Sequence, residues 1–341
     1  MHAARIHEDL TLRLDDIDVP MPGPGEVQVR IHAAGVCGTD LHILDGMIKP
    51  DPYPMTLGHE VAGVVEAAGP GTSLEPGSRV AIYNKIFCGR CEQCLKGRQN
   101  ICDNEPDQLG FNRDGGDADY VVVPEQNAVP VPDDVDLATA AVLTCAGMTA
   151  MHATKLSGLR IGDTAVIDGI GGVGILVIQA AAYAGARVIA VGDSEAKLEL
   201  ARDHGANDTL LVETPEGYDG LPERIRGLTG GRGTDVFFEL VGTTRTMTAG
   251  IRSLAKAGRF VSTGYTDQQL EIHPIEFILP EASFISTVAA TWLDLQDALS
   301  LAAMGAMKVP IAGRYPLAGV ETALGALRER GVLGRQILEI A

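Results

Sequence analysis

Apolar runs alternate with helical stretches between residues 164 and 262, and this alternation constrains the fold more than any other feature of the chain. The runs at 164–168, 187–191, 208–211, 235–239 and 258–262 are short, apolar and typical of buried strands. Between them, the stretches that include 173–184 and 196–204 have helical composition. Strands and helices in this order predict right-handed crossovers and a doubly wound parallel sheet.

The first 130 residues have a different pattern. Short runs of alternating apolar residues, broken by Gly and Pro, occur at 26–31, 61–66, 79–82 and 120–123. This pattern predicts an irregular, mostly antiparallel β domain. A chain of 341 residues has room for about two domains. From about residue 290 onward the elements become short and mixed again, and we expect them to pack back on the first domain.

The charge balance limits the possible partners. With 27 Lys and Arg against 45 Asp and Glu, the net charge is −18. Such a surface repels phosphate, so nucleic acid and anionic membranes are excluded and a small molecule is favoured. The apolar stretch 173–192 is interrupted by Gln179, Gly185 and Arg187, so we expect no spanning helix. The first ten residues lack the basic and apolar segments of a secretory signal, which predicts a cytoplasmic protein.

Four cysteines follow one another at close spacing, in the pattern C-x2-C-x2-C-x7-C. Thiolates at this spacing suit a closed, tetrahedral structural zinc site. Four unrelated thiols and an iron–sulfur cluster are the alternatives that the spacing leaves open. The predicted ligands are Cys88, Cys91, Cys94 and Cys102.

The two remaining cysteines are far apart, and a histidine lies between them in the sequence. Catalytic zinc takes three protein ligands and keeps one position open, and two cysteines with one histidine form an established set. Cys37, His59 and Cys145 supply that set. With the four clustered cysteines, they would place all six cysteines of the chain in metal sites.

A glycine-rich loop follows the predicted strand at 164–168 and opens the next helix. Its sequence fits G-x-G-x-x-G, which lets the backbone approach a pyrophosphate at a helix N-terminus. The predicted nucleotide-binding residues are Gly169, Gly171, Gly172, Val173 and Gly174.

Together these motifs resemble the zinc-dependent alcohol dehydrogenases of the medium-chain dehydrogenase/reductase superfamily. The resemblance covers nearly the whole chain, and implies a GroES-like catalytic domain at 1–146 and 289–341 with a Rossmann domain at 147–288. The motifs that carry it are the stretches 22–27, 35–42, 58–60 and 143–150, the four-cysteine segment and the glycine loop.

The resemblance also implies roles around the catalytic zinc. Asp40 would fix the ring of the ligand His59, and Glu60 would be a carboxylate close to the metal. Thr39 and His42 resemble the proton relay of the family, in which a hydroxyl passes the substrate proton to a histidine that titrates near neutral pH.

For the dinucleotide, Lys197 resembles the ribose-contacting lysine, Arg335 resembles an arginine that reaches the pyrophosphate, and Gly264 is a further predicted contact. Gly192 stands where many NAD-specific relatives have an aspartate, and Asp193 follows it. A glycine at this position does not exclude a 2′-phosphate, but the acidic surroundings repel one. NAD is therefore favoured and NADP remains the alternative.

The expected function is hydride transfer between a primary, secondary or cyclic alcohol and NAD, giving an aldehyde or ketone with two Zn2+ per chain. A polyol, sugar-alcohol or amino-alcohol dehydrogenase is the first alternative. Cys145 as third ligand argues mildly against a polyol, whereas a polar Asn84 in the pocket argues for one. A non-catalytic, nucleotide-binding relative is the second alternative. Relatives assemble as dimers or tetramers, so we expect a homo-oligomer.

Overall fold

The structure, a computed structural model, describes residues 1–104 and 107–341. The chain divides into two compact units, Met1–Met148 with Ala290–Ala341, and Thr149–Ala289. The predicted boundaries, 146/147 and 288/289, lie two residues and one residue from this division. The segment from Ala290 onward belongs to the first unit, as expected from its change of pattern.

The strands of the described chain are β1 His2–Ile6, β2 Leu12–Asp16, β3 Glu26–Val36, β4 Met55–Thr56, β5 Val61–Ala68, β6 Arg79–Ile82, β7 Tyr120–Pro124, β8 Ala128–Pro130, β9 Thr164–Asp168, β10 Arg187–Gly192, β11 Asp208–Leu211, β12 Thr234–Glu239, β13 Leu254–Ser262, β14 Ser283–Ser286, β15 Ile311–Pro316 and β16 Arg335–Glu339. Its α-helices are α1 Gly38–Leu44, α2 Glu92–Leu95, α3 Leu137–Val142, α4 Met148–Leu156, α5 Gly174–Tyr183, α6 Glu195–Asp203, α7 Leu221–Leu228, α8 Thr244–Arg252, α9 Ile275–Ile278, α10 Trp292–Ala303 and α11 Val320–Arg328.

The first unit is built on a mostly antiparallel sheet. Its strand order is β15-β16-β3-β5-β6-β8, and β7 pairs with β3; only β15 and β16 run parallel within it. A smaller sheet has the order β2-β1-β4. The alternating residues Val27, Val29 and Ile31 of β3 are fully buried in the core, which is the pattern that the sequence predicts for a strand with one buried face.

The second unit is a parallel sheet with the order β11-β10-β9-β12-β13-β14. The predicted doubly wound fold is thereby confirmed. Its core is aliphatic and aromatic; the rings of Phe237 and Phe260 stack with their centroids 5.9 Å apart. Because all strands are parallel, the residues that end them lie at one edge of the sheet, including Asp168, Gly192 and Glu239.

One helix of the described chain, Leu137–Leu156, is long and apolar enough to span a membrane by length and composition. However, 78% of its apolar window is buried inside the structure, as in the core helix of a globular protein. The stretch 173–192, the most apolar by inspection of the sequence, is the helix α5 followed by β10.

Candidate active site

Three separate segments of the first unit bring four donor atoms together. One donor atom from each of Cys37, His59, Glu60 and Cys145 lies within 4.8 Å of the others. We call these four residues the mixed cluster. Cys37 follows β3, His59 and Glu60 precede β5, and Cys145 lies in a π-helical turn between α3 and α4. The convergence of Cys37, His59 and Cys145 is what their predicted role as ligands requires.

Two glycines make this arrangement sterically possible. Gly58, just before His59, has φ +91°, and a Cβ on it would lie 2.3 Å from Asp117 Oδ1. A Cβ on Gly35 would lie 2.0 Å from Glu60 Oε2. Only a residue without a side chain fits either position, so these glycines let the backbone place His59 and Glu60 in the cluster. The π-helical turn at Cys145 is a feature frequently found at functional sites.

Asp40 contacts two residues of the mixed cluster. Its Oδ2 accepts a hydrogen bond from the backbone N–H of Cys37 at 2.8 Å. Its Oδ1 lies 3.3 Å from Nδ1 of His59, and both side chains are almost fully buried. The contact orients the imidazole and leaves Nε2 as the ligand atom, which is how carboxylates support metal-binding histidines.

Glu60 forms a buried ion pair with Arg335. The Glu60 side chain has no exposed surface and the Arg335 side chain 7%. Burial raises the pKa of Glu60 to about 7, although the Arg335 charge opposes this shift. The family resemblance implies different roles for the two residues, one near the metal and one at the pyrophosphate, whereas in the structure they are partners. Contact of Arg335 with a pyrophosphate stays a prediction.

The two thiols of the mixed cluster are hydrogen-bonded to each other. Hydrogen bonding with Cys145 lowers the pKa of Cys37 well below its usual value, and the same contact raises that of Cys145. Glu60 Oε2 is buried without a hydrogen-bond partner in the described chain. Buried thiolate, imidazole and carboxylate donors within one coordination sphere are the set that zinc binds, and a cation would compensate their charge. The residues therefore fit the predicted metal.

The predicted relay residues follow Cys37 on α1. Thr39 Oγ1 lies 3.7 Å from Cys37 Sγ, beside the mixed cluster. His42 is half-buried, and its Nδ1 lies 3.0 Å from Met47 Sδ. The structure thus brings Thr39 to the cluster, whereas His42 is not among the donor atoms gathered there. Their part in proton transfer stays a prediction.

The four clustered cysteines also converge. We call Cys88, Cys91, Cys94 and Cys102 the cysteine lobe; their sulfurs lie within 4.8 Å of one another. The Cys88–Cys94 and Cys91–Cys102 sulfur distances are 4.0 and 3.8 Å. Tetrahedral zinc with bonds of ~2.3 Å requires sulfurs about 3.8 Å apart. The lobe therefore fits a closed four-thiolate metal site.

Backbone N–H groups of the lobe point at its sulfurs. The N–H of Cys91 donates to Cys88 Sγ at 3.3 Å, and that of Cys94 donates to Cys91 Sγ at 3.4 Å. A backbone N–H from Arg90 contributes most to lowering the pKa of Cys88 to about 6. Burial instead raises the pKa of Cys94 to about 12, so a metal would have to displace the proton from that thiol.

The glycine loop lies in the second unit, between β9 and α5. Gly169 has φ +103°, and a Cβ on Gly174 would lie 1.9 Å from Gly169 O. No heavy atom lies within 4 Å of a Cβ built on Gly171, so this side of the loop is open. The strand, turn and helix are the context that the motif requires for a pyrophosphate site. Gly172 and Val173 lie in the same turn.

Asp193 and Lys197 lie near the end of β10. Lys197 Nζ is 2.8 Å from Asp193 Oδ1, and the Asp193 side chain is half exposed. A Cβ on Gly264 would lie 2.4 Å from the carbonyl carbon of Leu240, so Gly264 allows close backbone packing after β13. That packing explains this glycine without a ligand, and its predicted contact with the dinucleotide stays a prediction.

Two neighbours of the mixed cluster were not predicted from the sequence. The ring of Phe111 lies 5.6 Å from that of His59, measured between centroids. Asp117 is buried behind Gly58, and burial raises its pKa well above the usual value. Neither residue stands in a motif, and only the folded chain brings it to the site. Asn84, predicted to line a pocket, donates from Nδ2 to the backbone carbonyl of His59 at 3.3 Å.

Two protein families match the chain. "Alcohol dehydrogenase GroES-like domain" matches residues 23–133, and "Zinc-binding dehydrogenase" matches residues 172–304.

Individual proteins match over most or nearly all of the chain. An NAD-dependent alcohol dehydrogenase of Sulfolobus acidocaldarius is 35% identical, over 96% of each chain. An L-threonine 3-dehydrogenase of Pyrococcus abyssi is 36% identical, over 72% of this chain and 70% of its own. The crystal structure of the alcohol dehydrogenase from Aeropyrum pernix superposes with a TM-score of 0.91 at 32% identity, covering 99% of this chain and 100% of its own.

Proposed function

The chain belongs to the zinc-dependent alcohol dehydrogenases of the medium-chain dehydrogenase/reductase superfamily, and we propose that it transfers a hydride between an alcohol and NAD rather than NADP. The products are an aldehyde or a ketone. The observation that carries the proposal is the convergence of Cys37, His59 and Cys145, with Glu60, within 4.8 Å.

Cys37, His59 and Cys145 would hold the catalytic zinc. When bound there, zinc supplies Lewis acidity, which lowers the pKa of a substrate hydroxyl. The chain's own part is to hold these donors in place: Asp40 orients the His59 ring, and the Glu60–Arg335 pair keeps a carboxylate at the edge of the cluster.

Thr39 Oγ1 would accept the proton of a substrate hydroxyl, and its position 3.7 Å from Cys37 Sγ supports this role. His42 is the second member of the relay and accepts the proton nearer to solvent. Both roles follow from family resemblance, and the position of Thr39 supports the first of them.

The preference for NAD is supported by the charge at the end of β10. Asp193 is half exposed there, and a 2′-phosphate dianion near it would be repelled. We expect Asp193→Arg to shift the ratio of kcat/KM values toward NADP by about tenfold, because it removes the repulsion and adds a phosphate-binding fork. The matched control is Asp193→Asn, which removes the charge only and should shift the ratio less.

An unchanged ratio in Asp193→Arg would mean that the ribose pocket is elsewhere. A side chain at the neighbouring Gly192 is a poorer probe. Its Cβ would lie 3.0 Å from Leu198 Cδ2 and 3.1 Å from Ile170 Cγ1, so steric strain would confuse the result.

We propose two zinc ions per chain, one in the mixed cluster and one in the cysteine lobe. The sulfur distances of the lobe support the second site. The decisive experiment combines metal analysis with a screen of alcohols and carbonyl compounds against both nicotinamide dinucleotides. Two zinc per chain with alcohol-dependent NADH formation is the expected result. A zinc-loaded protein that turns over no member of the panel would contradict the proposal.

An amino-alcohol dehydrogenase is the second candidate. It is supported by the 36% identity to an L-threonine 3-dehydrogenase. The same screen separates the two candidates if it includes L-threonine and simple polyols. A kcat/KM for L-threonine far above that for simple, secondary and cyclic alcohols would favour the second.

We also propose a homo-oligomer, a dimer or tetramer. In the described chain β14 ends the parallel sheet, and Phe284 on it is 46% exposed. Nearby in sequence, Ile278 and Leu279 are 69% and 74% exposed. An open strand edge with exposed apolar residues favours association with a second copy. Light scattering after size exclusion tests this: a monomer at micromolar concentration would contradict it.

A cytoplasmic location is proposed for the same chain. All six cysteines are free thiols in the structure, and they form two ligand clusters and no disulfide. Reduced cysteines of this kind are typical of reducing compartments. Localisation of a tagged full chain by fractionation would test it.

A further inference from the structure

Two buried carboxylates lie side by side at the carboxyl edge of the parallel sheet, and the reaction proposed above does not use them. Asp168 ends β9 and Glu239 ends β12, and the two are register partners. Neither residue has exposed surface. Partners on neighbouring strands are about 5 Å apart and point to the same face of the sheet. The two carboxyl groups are therefore neighbours in a dry environment.

Each carboxyl group uses only one of its oxygens. Glu239 Oε1 accepts hydrogen bonds from the backbone N–H groups of Val241 and Gly242 at 3.0 and 2.7 Å, and from Thr246 Oγ1 at 2.7 Å. Asp168 Oδ1 accepts from the Tyr218 hydroxyl at 2.9 Å. Asp168 Oδ2 and Glu239 Oε2 are buried and have no hydrogen-bond partner in the described chain.

Nothing in the described chain neutralises the pair. No salt bridge to either carboxylate is found among the residues that the structure describes. From the turn after β11, Tyr218 faces Asp168; the charge of Asp193, near Tyr218 at the end of β10, is paired with Lys197, whose ammonium makes no salt bridge to Asp168 or Glu239 in the described chain. From α8, Thr246 contributes only a hydroxyl. Two ionised carboxylates would be both desolvated and mutually repelled.

A single proton removes this conflict, because it lets one unpartnered oxygen donate to the other. We propose that Asp168 and Glu239 share one proton, and that this proton positions the glycine loop for the dinucleotide. The second half of the proposal rests on the function proposed above. Independently of it, burial and the neighbouring Glu239 raise the pKa of Asp168 well above its usual value, and burial raises that of Glu239.

The pair is connected to the loop through the backbone. Asp168 directly precedes Gly169, and the N–H of Leu240 donates to Asp168 O at 3.1 Å. A Cβ on Gly169 would lie 3.1 Å from Val241 Cγ2, and Val241 is in the turn that Glu239 Oε1 holds. Loss of the shared proton would give the pair a second negative charge. This charge would loosen the turn and, by repelling the anionic dinucleotide, lower its affinity about tenfold. Asp168 is thus a positioning residue.

The first experiment needs no dinucleotide. Because the folded-state pKa of Asp168 is raised, the unfolded chain loses this proton first, above about pH 4. Wild-type stability should therefore fall as the pH rises, until the folded state also deprotonates. Asp168→Asn keeps a donor for Glu239 but cannot ionise. Its folding equilibrium constant, relative to wild type, should increase by up to about tenfold per pH unit.

Infrared spectroscopy provides a direct readout of the same proton. Because the raised pKa values of Glu60 and Asp117 give these residues the same band in every variant, the readout is the difference spectrum between wild type and Asp168→Asn. At neutral pH this difference should contain the carbonyl band of one protonated carboxylic acid. Tyr218→Phe removes a donor that favours the ionised form of Asp168, so it should keep this band and raise the pH at which it disappears. A constant stability ratio of Asp168→Asn to wild type, or no such band in the difference spectrum, would overturn the shared proton.

The second experiment titrates NADH by its fluorescence between about pH 5 and about pH 9. Asp168→Asn should bind NADH like the wild type at the acid end, and about tenfold more tightly at the alkaline end. Parallel profiles would overturn the role in positioning the loop. NADH binding with the expected stability profile but without turnover of any alcohol would instead contradict the proposed function and leave the shared proton intact.

Discussion

The cysteine lobe takes its donors from residues 88 to 102, whereas the mixed cluster takes its donors from positions 37, 59, 60 and 145. Both gather four donor atoms within 4.8 Å. In the lobe the sulfurs are supported by backbone N–H groups of the same short segment. In the mixed cluster the support comes from the side chains of Asp40 and Arg335.

Under the proposed function, this difference would separate a structural metal site from a catalytic one. Backbone donors are fixed by the path of the chain, so a metal bound in the lobe would hold that short segment together. Side-chain partners can change their protonation and contacts, which is what a site that exchanges ligands requires. The comparison predicts that loss of a thiol from the mixed cluster lowers activity more than stability. Loss of a thiol from the cysteine lobe should lower stability more than activity.

The largest effect is expected from Cys145→Ala. It removes a ligand from the mixed cluster, and loss of a Lewis acid worth several kcal/mol should lower kcat/KM by about a thousandfold or more. The melting temperature should change little, because alanine suits a helix. A steady-state assay measures kcat/KM, and calorimetry measures the melting temperature. Wild-type turnover in this variant would show that the mixed cluster takes no part in the reaction.

Cys94→Ser removes a thiol from the cysteine lobe instead of from the mixed cluster. A serine hydroxyl is a poor replacement for a thiolate ligand, so the lobe should lose its metal and the free energy of unfolding should fall by ~2–4 kcal/mol. One zinc per chain should remain, with measurable activity at low temperature. Cys145→Ala is its matched control; if the two variants lost the same metal and the same stability, the distinction between the clusters would be wrong.

Gly35→Ala is expected to have the smallest effect, and it perturbs the mixed cluster without removing a ligand. The new Cβ would lie 2.0 Å from Glu60 Oε2, so Glu60 must shift and its pairing with Arg335 must weaken. Such overpacking should cost ~1–3 kcal/mol of stability and lower activity.

The matched control is Gly325→Ala in α11, where a Cβ meets no atom within 4 Å. That variant should keep its activity and gain about 0.5–1 kcal/mol from the loss of a helical glycine. Equal behaviour of the two glycine variants would show that the position of Glu60 is not controlled by Gly35.

Much of the fold could be predicted because the second unit is made of strongly patterned segments. The strands at 164–168 and 208–211 were predicted with the bounds that the structure has, since apolar runs between turns define them. The β1–β2 hairpin was missed, because β2 has only five residues and most of them are exposed. α10 and α11 were predicted only as mixed elements, although the buried residues Val320, Ala323 and Leu324 of α11 have helical spacing.

The sequence by itself determined the two candidate sites whose residues lie within one short segment, because spacing there is a local property that the chain carries in any conformation. It identified the cysteine lobe and the glycine loop in this way. Tertiary structure alone decided that Glu60 pairs with Arg335, that Phe111 and Asp117 border the mixed cluster, and that Asp168 meets Glu239. These contacts join residues 50 or more positions apart along the chain, and only the packing of the folded chain, loops as well as strands, brings them together.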